Sequence, residues 1–337
     1  MDWFERLTGF RETNYDEVRR KLEVEGSQLR SLVNGKSYGI GELELVSLHA
    51  LRERVKSAGI LPGRLKVNVV IGDVRAMHQL PENAGALFQV ASQFNLLEMT
   101  SPSVTPQQGV TRYQHDPTQG PACAIAAGAA TIYRNYFAPV GDGHGQTGEH
   151  QLDGLADLGH ALGDAIGLAV EDLWSMVNGY AMCRRTGLDA ISEYLGSLSQ
   201  EAVDALSGQL RIGIHSDVEV TDTNRLKHPL VSQAFCSALP VAYSSIQVAH
   251  WQSFATLILQ AAYEATMLAS VLNAQRGASN VVLLTRLGGG AFGNDDDWIH
   301  AAMQRALKKV DGFNLHVKLV SHGPPSRAMM QMAKYFE

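Results

Sequence analysis

A glycine cluster between a short apolar run and an amphipathic segment is the feature that most constrains this chain. Residues 281–285 are apolar and rich in β-branched side chains, as in a strand buried on both faces. Gly288, Gly289 and Gly290 follow, and from about Asp297 the apolar spacing becomes helical. Glycines let backbone N–H groups approach an anion, and a helix N-terminus adds a positive end. The stretch predicts a phosphate-binding strand–loop–helix unit, and the alternative is a glycine-rich turn without a ligand.

Composition and charge limit the classes of partner. The 337 residues can bury a full core, and the net charge of −6 with a pI near 6.1 lacks the basic footprint of nucleic-acid binding. The apolar stretch 251–273 contains Glu264 and several small polar residues, so we predict a buried helix there and not a membrane span. The N-terminus is charged from Asp2 and has no apolar signal core. We therefore expect a cytoplasmic protein without nucleic-acid or membrane partners.

Cysteine and histidine usage gives no support for a metal or redox site. Cys123, Cys183 and Cys236 lie far apart, without a CxxC pair, so buried free thiols are expected. Cys236 also lacks the glycine elbow of a nucleophile. The histidines in the 144–153 loop fit no standard ligand spacing. The sequence therefore calls for no metal and no cofactor.

Strand-like and helix-like segments alternate along most of the chain. Further strands are expected at 65–71, 86–91, 211–214, 233–243 and 315–320, and helices at 122–137, 251–273 and about 297–309. Residues 1–64 look mainly helical, including 15–32, with Ser47 as a possible helix cap. The alternation predicts an α/β class, a three-layer α/β/α mixed sheet over 65–337. We expect 1–64 to form a helical N-terminal extension and about 138–210 a helical insertion with a strand-like stretch at 174–182.

Polar residues follow two of these predicted strands. Asp73 comes directly after the 65–71 strand, and Asn95 follows the 86–91 strand. Open α/β sheets bind ligands at the carboxyl ends of their strands. Asp73 could accept a hydrogen bond from an exocyclic amine, and Asn95 could bind a ribose hydroxyl. The alternative for each is a turn or cap residue that needs no ligand.

A second polar loop, residues 101–120, leads into the helix predicted at 122–137. Pro121 suits the first helical position, and Asp116 stands shortly before it among polar side chains. A carboxylate placed near an anion site could orient or deprotonate a water or a sugar hydroxyl. Asp116 could equally cap the helix, and the residues alone leave both roles open.

With these features in place, the chain resembles the macrodomain superfamily, and its glycine loop is similar to that of the poly(ADP-ribose) glycohydrolase branch. Residues 288–295 (GGGAFGND) are similar to that branch's G-x-G-A-F-G diphosphate loop. Residues 70–74 (VIGDV) look like the first-strand G-D-[IV] signature, and 89–95 (QVASQFN) replace a strand that ends in asparagine. The Gly120 loop takes the place of the family's other glycine-rich loop. The resemblance covers 65–137 and 211–322.

The resemblance implies a macrodomain-like ADP-ribose site. Asp73 would hold the adenine amine, Asn95 would contact the distal ribose, and Phe292 would pack against a ribose. The diphosphate would bind to backbone N–H groups of the glycine loop. The ligand-binding residues expected on this basis are Asp73, Val74, Gln93, Asn95, Gln119, Gly120, Gly288, Gly289, Gly290, Ala291, Phe292, Gly293 and Asn294.

Two departures from the family pattern prevent a direct transfer of its mechanism. The usual G-G-G-V run is replaced by RYQHDPTQGP, and the paired glutamates of the glycohydrolases are missing. Asp116 and Asp295 are the catalytic candidates, with Asp296 or Asp297 as a cap for the following helix.

We expect an ADP-ribosyl hydrolase acting on an ADP-ribosylated protein or a small acceptor. One alternative is a non-catalytic ADP-ribose reader. Another is an NAD-binding Rossmann oxidoreductase, which would place G-x-G-x-x-G after the first strand, whereas the glycine cluster here follows a late strand.

Overall fold

The computed structural model describes residues 1–59 and 62–336, and its centre is a seven-stranded mixed sheet. In these residues the strands are β1 (Leu22–Glu25), β2 (Gln28–Ser31), β3 (Ser37–Gly39), β4 (Glu42–Ser47), β5 (Lys66–Ile71), β6 (Leu87–Ala91), β7 (Pro139–Val140), β8 (Gly143–His144), β9 (Trp174–Val177), β10 (Tyr180–Cys183), β11 (Arg211–Glu219), β12 (Leu230–Cys236), β13 (Val281–Leu284) and β14 (His316–Ser321). The central sheet has the order β4-β11-β12-β6-β13-β14-β5. Strands β12, β6, β13, β14 and β5 run parallel, so their carboxyl ends meet at one edge.

Helices cover both faces of this sheet. The α-helices of the described residues are α1 (Trp3–Thr8), α2 (Tyr15–Arg20), α3 (Leu48–Ser57), α4 (Val74–Met77), α5 (Gln119–Ala126), α6 (Gly128–Tyr136), α7 (Ala156–Ile166), α8 (Val170–Leu173), α9 (Arg185–Ser197), α10 (Gln200–Ser207), α11 (Val248–Gln275), α12 (Asp296–Lys309) and α13 (Arg327–Tyr335). Short 3₁₀ helices lie at Pro81–Asn83, Pro106–Gln108, Thr111–His115 and Val241–Tyr243.

The side chains of β6 and β12 show how the two helical layers attach. Successive strand residues point to opposite faces. The Gln89 amide donates to the Thr266 hydroxyl of α11 at 3.0 Å, whereas the Gln233 amide donates to the Cys123 carbonyl of α5 at 3.0 Å. Phe88 packs in a buried cluster with Cys123, on the α5 side. The predicted three-layer α/β/α class is therefore confirmed.

The 28-residue helix α11 is the main helix of one layer. Its length and apolar composition alone would allow it to cross a membrane, but 83% of its most apolar window is buried inside the protein. A helix that is apolar almost all round belongs in a core. The prediction of a buried helix at 251–273 is confirmed, and the helix extends a few residues further at each end.

The N-terminal 64 residues are only partly helical, which corrects the sequence prediction. The helix expected over 15–32 ends at Arg20, and β1, β2 and β3 then form a small antiparallel sheet. Residues 22–25 alternate Leu-Glu-Val-Glu, a strand period that the charge pattern concealed. Strand β4 pairs with β11 at the edge of the central sheet. Ser47 caps α3 as expected, accepting from the Ala50 N–H at 3.1 Å.

Two further predicted elements differ in detail. The helix expected at 122–137 is divided into α5 and α6 at Ala127, which has φ −112° and ψ 57°, and the next N–H, of Gly128, donates to the Thr221 hydroxyl at 2.9 Å. The strand expected at 233–243 ends at Cys236. Within 138–210, four helices accompany β7–β8 and the hairpin β9–β10, whose turn residues Asn178 and Gly179 both have positive φ.

A buried carboxylate connects three helices behind the sheet. Glu264 of α11 is 2% exposed and accepts from Arg52 of α3 and Arg305 of α12 at 2.7 Å each. Lys309 lies 2.8 Å away. Burial opposes ionisation of Glu264, but the hydrogen bonds from these three cations outweigh it and hold its pKa below the usual 4.5.

Glu264→Gln is expected to lower the free energy of unfolding by ~1–3 kcal/mol at pH 7, because the amide replaces a charged acceptor. A depressed pKa contributes stability above the unfolded-state pKa and loses it as the pH falls. In urea unfolding experiments, the difference in free energy of unfolding between Glu264→Gln and the wild type should therefore decrease below about pH 4.5. Glu53→Gln, on the exposed side of α3, is the control and should unfold like wild type at every pH.

Candidate functional site

Two adjoining cavities lie at the carboxyl ends of the parallel strands. The β5 cavity, about 510 Å³, is lined by residues that follow β5 and β14. The β6 cavity, about 130 Å³, is lined by residues that follow β6 and by the glycine loop. Asp116, Thr118, Gln119, Thr285 and Arg286 line both cavities. The two form one cleft at the edge where open α/β sheets bind ligands.

The start of α5 forms one wall of this cleft, and β6 fixes its position. The Gln119 side chain accepts from the Ala91 N–H and donates to the Gln89 carbonyl, both at 2.8 Å. A Cβ on Gly120 would lie 2.0 Å from the Ala91 carbonyl oxygen, so the helix can approach the strand this closely only with glycine there. Both residues line the cleft, and N–H groups in the first turn of a helix have no intrahelical acceptor.

The glycine loop forms the facing wall of the β6 cavity. Gly288, Gly290, Ala291 and Phe292 line the cavity. Gly288 and Gly293 have φ of +75° and +67°, where a side chain would be strained. Apart from its chain neighbours, none of the described residues has an atom within 4 Å of a Cβ placed on Gly290, so this residue presents open backbone to the cavity.

Three predicted loop residues brace the loop and do not line either cavity. A Cβ on Gly289 would meet Ile299 at 3.0 Å and the Arg286 guanidinium at 3.1 Å. Asn294 is buried, and its amide donates to the Leu239 carbonyl at 2.8 Å. With Gly293, these residues shape the loop, whereas the sequence motif presented all seven positions as ligand contacts.

Asp73 and Val74 line the β5 cavity, as the sequence predicted for that end of β5. The Asp73 carboxylate caps α4, accepting from the Arg75 N–H at 2.9 Å. Arg75 is itself held by Asp222 through two hydrogen bonds of 2.6 and 2.9 Å. Asp73 is thus a helix cap that also borders the cavity.

Asn95 lies outside the cleft, which corrects its predicted contact with a ribose. It is completely buried, its side-chain amide nitrogen donates to the Gln151 side chain at 2.7 Å, and its side-chain Oδ1 accepts from the Leu97 N–H at 3.1 Å. Gln93 does line the β6 cavity, but its side chain is bonded to the Met99 backbone at both ends. The chain turns sharply after β6, with Leu96 at φ +63°, and this turn directs Asn95 inward.

Asp295, one of the two catalytic candidates, is also outside the cleft. It is the N-cap of α12 and accepts from the Asp297 N–H at 2.8 Å. Asp296, one of the expected caps, instead forms an ion pair with Arg286. Three consecutive aspartates do not reveal which one precedes the first helical turn, so the sequence misassigned the cap.

Asp116, the other catalytic candidate, lies where the two cavities join. One carboxylate oxygen accepts from the Thr118 N–H at 2.9 Å and from its hydroxyl at 2.6 Å. Asp116 therefore closes the turn before α5 and still borders the cleft, so both roles considered for it are compatible with its position.

Glu98 is a buried titratable residue of the cleft that was not predicted from the sequence. It lines the β6 cavity, is 1% exposed, and pairs with the buried Arg134 of α6 at 3.1 Å. Its backbone N–H donates to the Tyr113 hydroxyl at 3.3 Å. Burial raises the pKa of Glu98 to about 7, although the charge and hydrogen bond of Arg134 lower it. The signal available in the sequence was a lone carboxylate in the otherwise apolar run 96–99.

Three aromatic rings stand beside the β6 cavity. Tyr180, from the hairpin β9–β10, lies 5.3 Å from both Tyr243 and Phe292, measured between ring centroids. Phe292 and Tyr243 are 5.7 Å apart in an edge-to-face arrangement. The 138–210 segment therefore contributes directly to the wall of the cleft.

These features define a three-layer α/β/α protein with a cleft at the carboxyl edge of its sheet. No protein-family model and no curated protein matches the sequence. Poly(ADP-ribose) glycohydrolase from Deinococcus radiodurans in complex with ADP-ribose resembles the chain at 10% identity and a TM-score of 0.47, over 87% of this chain and 93% of that one. Poly(ADP-ribose) glycohydrolase from Thermomonospora curvata resembles the chain at 13% identity and a TM-score of 0.46, over 96% of each of the two chains.

Two glycines of the cleft should respond oppositely to alanine. Gly120→Ala is expected to lower the free energy of unfolding by ~1–3 kcal/mol, because its Cβ would collide with the Ala91 carbonyl. Gly290→Ala should stay within ~0.5 kcal/mol of wild type, since its Cβ would meet open space. Urea unfolding of both variants checks this, and equal stabilities would contradict the close packing of α5 on β6.

Proposed function

We propose that the cleft binds ADP-ribose and that the protein is an ADP-ribosyl hydrolase, acting on a modified protein or a small acceptor. The observation that carries this is the shared lining of the β6 cavity. The glycine loop, the start of α5 and the buried carboxyl group of Glu98 all border that cavity. Backbone N–H groups suit a diphosphate, and a carboxyl group suits cleavage of a glycosidic bond. The GGGAFGND motif supports the same ligand.

The ligand is proposed to lie along the cleft with its adenosine in the β5 cavity. Asp73 would accept from the adenine amine there, and the volume of about 510 Å³ suits a small ligand. The diphosphate would cross to the backbone of Gly290, Ala291 and the first turn of α5. The distal ribose would then enter the β6 cavity, against Phe292 and close to Glu98.

Two carboxyl groups in different surroundings suggest a division of roles. Glu98 is buried with a pKa near 7, whereas Asp116 is only half-buried and bonded to Thr118. Glu98 would donate its proton to the departing oxygen or nitrogen of the acceptor as the bond to the anomeric carbon breaks. Asp116 would accept a proton from the water that attacks this carbon. Asp295 takes no part in this proposal, because it lines neither cavity.

Glu98→Gln tests this assignment with little change in shape. We expect its turnover to fall by roughly 10²- to 10⁴-fold, while its affinity for ADP-ribose stays within about threefold of wild type. Suitable substrates are peptides carrying ADP-ribose on serine, arginine or glutamate, together with an ADP-ribose polymer. Glu82→Gln, exposed and outside the cleft, is the control and should match wild type.

The outcomes separate the candidate functions. Wild type that binds ADP-ribose but releases it from none of these substrates would be a reader and not a hydrolase. Full activity in Glu98→Gln would show that Glu98 is not the general acid, while the assignment of the protein as a hydrolase would stand. Wild type that neither binds nor cleaves would overturn the proposed function.

The pH dependence gives an independent check on the role of Glu98. An acid must carry its proton, so kcat/KM of the wild type should decrease as the pH rises through about 7. The residual kcat/KM of Glu98→Gln should not show this decrease as the pH rises through about 7. An activity that instead rises through this range would assign Glu98 as a base.

A further inference from the structure

Arg286 occupies a special place between the two cavities. It precedes the glycine loop by two residues and lines both the β5 and the β6 cavity. Its guanidinium lies over the loop, 3.1 Å from where a Cβ on Gly289 would be. The one ion-pair partner recorded for it among the described residues is Asp296, the first residue of α12.

Two other arginines near the cleft, Arg75 and Arg134, are already paired with carboxylates of the protein. Arg75 is held by both oxygens of Asp222. Arg134 is buried behind the cavity and is bonded to Glu98. The Arg286 side chain is 39% exposed and that of Asp296 is 54% exposed. Ion pairs this exposed are weak, so a ligand anion can replace Asp296 at little cost.

We propose that Arg286 exchanges Asp296 for the diphosphate of the ligand, and that Asp296 acts as a built-in competitor for this cation. This rests on the proposed function. A guanidinium offers two parallel N–H donors to phosphate oxygens, which suits a group spanning the junction of the two cavities. Arg286 thereby favours ligands that carry a diphosphate over nucleosides and monophosphates.

Two neutralising substitutions should change affinity in opposite directions. Arg286→Gln is expected to weaken ADP-ribose binding by about 10- to 100-fold, as for loss of a hydrogen bond to a charged group. Asp296→Asn is expected to tighten it by about two- to fivefold, because the competing carboxylate is gone. In the Arg286→Gln background, Asp296→Asn should have almost no effect, because the two residues act on the same interaction.

The experiment is calorimetric titration of the four proteins with ADP-ribose, AMP and adenosine at two salt concentrations. Asp297→Asn is the matched control, since it removes a carboxylate from the same helical turn without touching Arg286. That control shows how much the loss of a negative charge at the N-terminus of α12 changes the affinity for ADP-ribose by itself. Adenosine binding should be equal in all variants, and the salt dependence for ADP-ribose should be weaker in Arg286→Gln.

Three results decide between the claims. Opposite shifts for Arg286→Gln and Asp296→Asn, with Asp297→Asn near wild type, would support the exchange. ADP-ribose binding that is equal in all variants would overturn the exchange and leave the proposed function standing. Failure of the wild type to bind ADP-ribose would overturn the proposed function and the exchange with it. Thermal unfolding of each variant confirms that these exposed substitutions leave the fold intact.

Discussion

The cleft depends on the close contact between the start of α5 and the end of β6. Gln119 makes two hydrogen bonds to the β6 backbone, and Gly120 approaches the Ala91 carbonyl where no side chain fits. This contact directs the first turn of α5 toward the edge at which five parallel strands end. The glycine loop after β13 reaches the same edge because β13 lies next to β6. The packing of α5 on β6 and the pairing of β13 with β6 thus bring together two walls that are about 170 residues apart in sequence.

Burial and neighbouring charges together set the pKa of the buried glutamates of this protein. Glu98 and Arg134 are removed from water together, and the penalty for an isolated buried charge keeps them paired. Glu264 is also buried, yet three cations hold its pKa low, so it serves the packing of the helices. The same residue type therefore has a raised pKa in the cleft and a lowered pKa behind the sheet. Its surroundings, and not its identity, decide which chemistry it can perform.

The parts of the site that were predictable from sequence follow directly from secondary structure. Asp73 and the glycine loop come just after β5 and β13, so strand prediction alone placed both at the carboxyl edge of the sheet. Asn95 and Asp295 were misplaced because their positions depend on a sharp turn after β6 and on which of three aspartates caps α12. Glu98 was missed because its contact with Arg134 joins separate elements. The strands β1 and β2 were missed because the charge pattern of 15–32 resembled that of a helix.

The most direct test of the account is isothermal titration of the purified protein with ADP-ribose, with AMP and NAD as controls. A cleft in which the glycine loop and α5 hold a diphosphate, and the β6 cavity holds a distal ribose, should bind ADP-ribose well above both controls. It should do so with one ligand per chain. Absence of ADP-ribose binding, or affinity no higher than for AMP, would contradict the assignment of the cleft and with it the hydrolase.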